Sequence, residues 1–186
     1  SLQGKLINGV RHGIGLGCFV ESGGAGPKEN AHLTLEPDGS LTVAVGSSVL
    51  GQGLETVLGQ IAADTLSIPL ARIRVLHGST TLLDEGFGTY HSRAVVMGGS
   101  AVLDAGKKLR ERIMQRAAER LRRPNTELTI VDAQVVAANG ATVSLASLAS
   151  EGDLSADGTF SNTVRTYNYG THAAHVTVDP RTGAVN

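Results

Sequence analysis

The sequence predicts an α+β domain: a mixed sheet with two main helices packed on it, and scope for two lobes. Three observations lead there. Several short runs alternate apolar and polar residues with a period of two, two long runs keep helical spacing, and the strand-like and helix-like runs follow one another along the chain. With 186 residues, 41% of them hydrophobic and 18% charged, the chain is globular in composition despite its 24 glycines.

In chain order, Gly13-Ile14-Gly15-Leu16-Gly17-Cys18-Phe19-Val20 reads as a strand whose glycine face lies against another backbone or a ligand. Ala31–Leu35 and Leu41–Val45 flank the turn Pro37-Asp38-Gly39-Ser40 and make a hairpin. Val57, Leu58, Ile61, Ala62 and Leu66 space a helix of about three turns, which Ile68-Pro69 stops. Arg72–Val75 is a short strand, followed by a long polar connection from Gly78 to Tyr90. A longer helix is expected from about Ser92 to Leu121, ending at Arg122-Arg123-Pro124, with Gly98-Gly99 implying close packing or a kink.

Strands follow at Glu127–Val131, Gln134–Ala138 and Thr142-Val143, then a short helix capped by Ser144. Glu151–Gly158 reads as a flexible polar connection, Phe160–Tyr169 and His172–Val178 as two further strands. A lobe boundary is expected near 122–126. Because Asp179–Gly183 is a hairpin turn with only Ala184-Val185-Asn186 after it, the chain is expected to be a piece of a longer subunit, with residues 1–186 forming one cofactor-binding domain.

Composition also removes function classes. Aromatics are 3% with no tryptophan, which leaves little for stacking on single-stranded nucleic acid, and a formal net charge of -1 makes no field for polyanions or anionic membranes. Nucleic acid and membrane are therefore not expected partners. Cys18 is the only cysteine, so no thiolate metal site forms within the chain, and a cytoplasmic location is expected with the periplasm left open. His172 and His175 lie three apart on a strand and face opposite sides, so no metal site is assigned. The basic run Lys107 to Arg123 is interrupted by Glu111 and Glu119 and spread around a helix, which suits a solvated surface or a contact within the subunit. Glu55, in a first helical turn, is read as a structural carboxylate.

Two loops run through glycines into helix starts: Gly46 to Thr56, containing Gly51-Gln52-Gly53, and Gly86-Phe87-Gly88-Thr89-Tyr90-His91-Ser92-Arg93. Such starts aim backbone N–H groups and a positive dipole end at one place, as an anion or phosphate requires. Neither loop is a Walker A or a dinucleotide fingerprint, and either could be a plain turn.

Taken in order with Gly98-Gly99-Ser100-Ala101, Arg11-His12-Gly13-Ile14-Gly15 and Tyr167-Asn168-Tyr169-Gly170-Thr171-His172, these blocks resemble the second molybdopterin-binding region of molybdenum hydroxylase large subunits. That family includes xanthine dehydrogenase, aldehyde oxidase and carbon monoxide dehydrogenase. The resemblance implies a molybdopterin, as the cytosine dinucleotide, with Gly51, Gln52 and Gly53 at its pterin and phosphate portion. Thr89, Tyr90, His91 and Ser92 become pocket or cofactor contacts, although His91 stands where the family often has a small residue and also reads as a helix-cap or surface histidine.

The implied activity is oxidation of a carbon centre in an aldehyde, an N-heterocycle or carbon monoxide, with water as oxygen source. Iron–sulfur clusters and FAD would sit on other domains or subunits. The family's catalytic glutamate is expected outside these residues, so no catalytic residue is assigned and the isolated chain is expected to be inactive. The implied partners are the remaining domains of the large subunit, the iron–sulfur and flavin subunits, and a small-molecule substrate. A non-catalytic structural or nucleotide-binding module is the alternative.

Overall fold

The computed structural model describes residues 2–186. The short strand β1 (Leu6–Ile7) pairs antiparallel with the long strand β2 (Val10–Gly23). The hairpin forms as the turn residues predict: β3 (Glu29–Leu35) and β4 (Leu41–Val45) run antiparallel with Leu35 opposite Leu41. Asp38 organises the turn by accepting from Ser40 Oγ at 2.6 Å and Ser40 N at 2.8 Å, bonds that hold its carboxyl below the ordinary range.

Gly53 in left-handed conformation (φ 74°) precedes α1 (Leu54–Leu66), which buries Leu54, Leu58, Ala62 and Leu66 on one face. Ser67 ends the helix, also left-handed, and the chain turns into β5 (Ile73–Leu76), parallel to β4. The expected second helix has two parts. Ala94–Gly99 is a π-helical turn, and α2 (Ser100–Leu121) continues from it. The glycine pair explains the tightness there. A Cβ on Gly98 would lie 3.1 Å from Ser47 Oγ, and one on Gly99 2.9 Å from Ile61 Cδ1.

After α2 come β6 (Leu128–Val131), β7 (Gln134–Ala137) and β8 (Thr142–Ser144), a three-stranded antiparallel sheet. The helix α3 (Leu145–Ala149) follows, its first turn capped by Ser144, whose Oγ accepts from Ser147 N at 3.1 Å. Next, β9 (Ser155–Phe160) pairs with β3, completing the four-stranded mixed sheet β5-β4-β3-β9 on which α1 and α2 pack.

Strand β9 corrects the expectation of a flexible connection over Glu151–Gly158. The pattern looked like a loop because the buried face carries only Ala156 and Gly158, while Ser155, Asp157 and Thr159 alternate with them. Helix α2 lies so close that a Cβ on Gly158 would fall 2.1 Å from Ala101 O, and nothing larger than glycine fits.

The chain divides into two compact units, Gly23–Arg165 and a ribbon made of residues up to Ser22 with Thr166–Asn186. Residues 122–126 lie within the larger unit. One apolar core runs through it, from Leu33, Val43 and Leu58 through Leu109 and Ile113 to Ile130, Val135 and Leu148, so 122–126 is a helix end and not a division.

In the ribbon, β2 is flanked by β1 and by β10 (Thr166–Val178). A single strand thus replaces the two expected over Phe160–Tyr169 and His172–Val178. Gly170 is no breaker, because its missing side chain makes room for the Phe19 ring, 2.7 Å from where a Cβ would sit. His172 stacks on Phe19 and His175 on His12, so the two histidines part as strand alternation requires. Of Gly13, Gly15 and Gly17, only Gly13 is closely approached, with Val176 Cγ2 3.2 Å from a built Cβ. Around Gly15 and Gly17 the space is open within 4 Å.

Candidate functional site

Both glycine-bearing loops leave the sheet from neighbouring positions in the larger unit. The first departs from β4 at Val45, and the second returns from the connection after β5. Their backbones touch where both are glycine. A Cβ on Gly46 would lie 2.5 Å from Gly86 Cα, and one on Gly86 2.7 Å from Gly46 Cα. Past this crossing Thr89 clamps them, donating from Oγ1 to Ser48 O at 2.6 Å and accepting from Ser48 N at 2.8 Å.

Within the first loop Gln52 closes a small ring. Its Oε1 accepts from Leu50 N at 2.6 Å and its Nε2 donates to Ser48 O at 3.4 Å. Gly51 (φ 99°) and Gly53 (φ 74°) flank it in conformations that disfavour a side chain, and a Cβ at either would meet nothing within 4 Å. The N-terminus of α1 is capped by no side chain. Glu55 in its first turn accepts from His77 Nε2 at 2.9 Å.

In the second loop His91 (φ 49°) and Ser92 (φ 47°) are consecutive left-handed residues, separated from the π-helical turn by Arg93 alone. Each non-glycine residue held there costs about 1–3 kcal/mol, and π-helical insertions concentrate at functional sites. Tyr90 stacks its ring on the Arg93 guanidinium, 5.0 Å from Cζ to centroid. Gln52, Thr89, Tyr90, His91 and Ser92 line one cavity of about 360 Å³ together with Leu50, Arg93, Ala94 and Val95. Five of the seven residues assigned from sequence are thus brought together, with Gly51 and Gly53 shaping the adjoining backbone.

Beneath the loops lies a polar cluster that the sequence reading did not single out. Glu29, Ser47 and Arg93 are each 0% exposed. Glu29 accepts from Arg93 Nη1 at 2.9 Å, Ser47 Oγ at 3.0 Å and Phe87 N at 3.1 Å. Arg93 also donates from Nε to Ala25 O at 2.8 Å, from Nη1 to Gly88 O at 2.7 Å, and from Nη2 to Lys28 O. Among the described residues no buried side-chain nitrogen or oxygen lacks a partner. The signal in the sequence was phase: Glu29 shares the period-two face of Ala31, Leu33 and Leu35, a core position where a carboxylate needs a reason.

Three arginines of α2 find partners inside the domain. Arg116 donates to Leu148 O at 3.1 Å, Gly152 O at 2.8 Å and Asp153 O at 3.0 Å; Arg112 donates to Ser155 O, and Arg110 to Thr65 O at 3.3 Å. Arg112 and Arg116 bind the chain leading into β9 to the helix, and Arg110 ties it to the end of α1. Among the described residues no helix is long and apolar enough to cross a membrane.

The family model for the molybdopterin cofactor-binding domain matches residues 3–186. The gamma subunit of the 6-hydroxypseudooxynicotine dehydrogenase complex of Paenarthrobacter nicotinovorans is 31% identical over 95% of this chain and 24% of its own length. The carbon monoxide dehydrogenase large chain of Afipia carboxidovorans is 35% identical over 59% of this chain and 15% of its own. The crystal structure of quinoline 2-oxidoreductase from Pseudomonas putida 86 superposes with a TM-score of 0.77 at 29% identity, covering 96% of this chain and 26% of that one. The chain therefore spans between 15% and 26% of these relatives, and a match over nearly its whole length places it among the molybdopterin cofactor-binding domains of the molybdenum hydroxylase family.

Proposed function

We propose that this chain forms part of the molybdopterin site of a molybdenum hydroxylase that oxidises a carbon centre in an aldehyde, an N-heterocycle or carbon monoxide. The observation that carries this reading is the clamping of two helix-start loops by Thr89 and Ser48, with Gln52 and residues 89–92 around one cavity. An uncapped helix start beside two open glycines fits a phosphate-bearing group, since N–H donors and the positive dipole end face the same space.

In this reading Gly51 and Gly53 let the backbone approach the pterin and phosphate portion, and Gln52 keeps the loop open by bridging Leu50 N to Ser48 O. Thr89 holds the second loop in register, and Tyr90, His91 and Ser92 border the pocket. The bound group, carried as the cytosine dinucleotide, supplies a two-electron acceptor for a reaction in which water provides the oxygen. These residues contribute binding and orientation. The general base lies on another part of the subunit, so the isolated chain has no turnover. Iron–sulfur clusters and FAD on other domains or subunits accept the electrons, in a cytoplasmic assembly whose substrate is a small molecule. Support for an assembly comes from the relatives, one a subunit of a dehydrogenase complex and another a large chain.

Metal analysis and mass spectrometry of the released nucleotide, performed on the intact parent protein, test the reading. Molybdenum and a pterin cytosine dinucleotide in near-equal amounts are expected, both reduced in Gln52→Leu with the melting temperature little changed. Parent protein that contains neither metal nor pterin would overturn it.

A further inference from the structure

We propose that the buried Glu29–Arg93 pair is a positioning pair that holds the two site loops as one body, an assignment that rests on the cofactor reading above. Glu29, which belongs to neither loop, is bonded to both: Ser47 Oγ reaches it from the first, Phe87 N and Arg93 Nη1 from the second. Arg93 carries the connection onward, to Gly88 O within its own loop and to Ala25 O and Lys28 O in the turn that leads into β3. The crossing of Gly46 and Gly86 beside Glu29 leaves no slack, because a Cβ on Gly46 would also fall within 2.4 Å of Glu29 Oε1.

Stability alone is a weak reason to bury such a pair. Removing two charges from water is expensive, and well-packed apolar residues of similar volume are often as stable or more so. Apolar residues cannot reproduce directed bonds to two separate loops. Those bonds also act where the backbone needs them. Arg93 directly follows the left-handed pair His91-Ser92 and precedes the π-helical turn, two local conformations that persist only when surrounding contacts over-determine them. The pair touches no reacting atom and acts through the loops it fixes.

The test uses the intact parent protein and three variants: Glu29→Gln, Ser47→Ala and, as a control, Arg116→Ala, which cuts bonds from α2 to carbonyls remote from the loops. Two quantities are read below all melting temperatures: amide hydrogen exchange at 46–53 and 86–92, and the half-time of molybdenum loss on dialysis. Glu29→Gln is expected to speed exchange in both loops and shorten the half-time, each by about tenfold, the scale of one charge-assisted bond. Ser47→Ala, which cuts only one leg, is expected to speed exchange at 46–53 and shorten the half-time less. It carries the test by itself if Glu29→Gln does not fold. Arg116→Ala should lower the melting temperature and leave the half-time unchanged.

Wild-type retention and exchange in folded Glu29→Gln or in Ser47→Ala would overturn the assignment. A shortened half-time in Arg116→Ala would do so too, since retention would then follow global stability. Wild-type protein without molybdenum overturns the cofactor reading instead, and loop exchange in the variants still reports on the coupling.

Discussion

At the start of the long helical run, Arg93 is buried against Glu29 and binds three backbone carbonyls, whereas in the last turns of the same run Arg116 binds three carbonyls from a partly exposed face. Both donate to backbone C=O groups, and both tie α2 or its approach to a neighbouring segment. What differs is the partner and the solvent. Arg93 neutralises a carboxylate away from water, so removing it strands a charge. Arg116 faces neutral acceptors that water can serve instead. The same residue type is thus a strut at one end and a replaceable staple at the other.

Breaking the strut should have the largest effect. Arg93→Ala leaves Glu29 buried without its counter-charge and is expected to cost about 3–5 kcal/mol, read as a fall in the urea midpoint. A loss under about 1 kcal/mol would mean that water enters the cluster and that the two arginines are alike. Next comes the seat of α2. Gly158→Ala would drive a methyl into Ala101 O and Ala105 N, and overpacking of this kind costs about 1–3 kcal/mol or more.

Arg116→Ala should cost about 1 kcal/mol, as solvent replaces its bonds, measured by the same unfolding midpoint. If it matched Arg93→Ala, the contrast between the two ends would be lost. The smallest effect concerns acid. Burial raises the carboxyl of Asp104, but Lys108 Nζ at 2.7 Å and Thr159 N at 3.0 Å outweigh it and hold the group below the ordinary aspartate value of 3.8. Its stabilisation is therefore present above pH 3.8 and lost as pH falls through the lower folded value. Asp104→Asn should flatten that stretch of the stability–pH curve and change little at neutral pH.

Particular residues show how much could be read in advance. The hairpin at Pro37–Ser40, the stop at Pro69 and the cap at Ser144 were legible because each depends on local backbone chemistry. Gln52 and Thr89–Ser92 were legible through spacing and resemblance, and they line one cavity. Their bonding was not legible. Thr89 grips Ser48, far away in sequence, and Gln52 bridges its own loop. Glu29 is not legible in the same way, because a strand read from Ala31 begins two residues late and hides its phase.

By itself the sequence determined the class of elements, most of their ends and the family, since periodicity, turn residues and ordered motif blocks are properties of neighbours along the chain. Tertiary structure alone decided that β9 is a strand, that Gly170 lies inside one, and that Glu29, Ser47 and Arg93 meet. Each of these depends on what packs across the chain: the backbone of α2 over Gly158, the Phe19 ring over Gly170, and two loops that converge on one buried carboxylate. Local propensity cannot report a contact between residues 29 and 93, because the desolvation that makes that contact matter exists only once the core has closed around it.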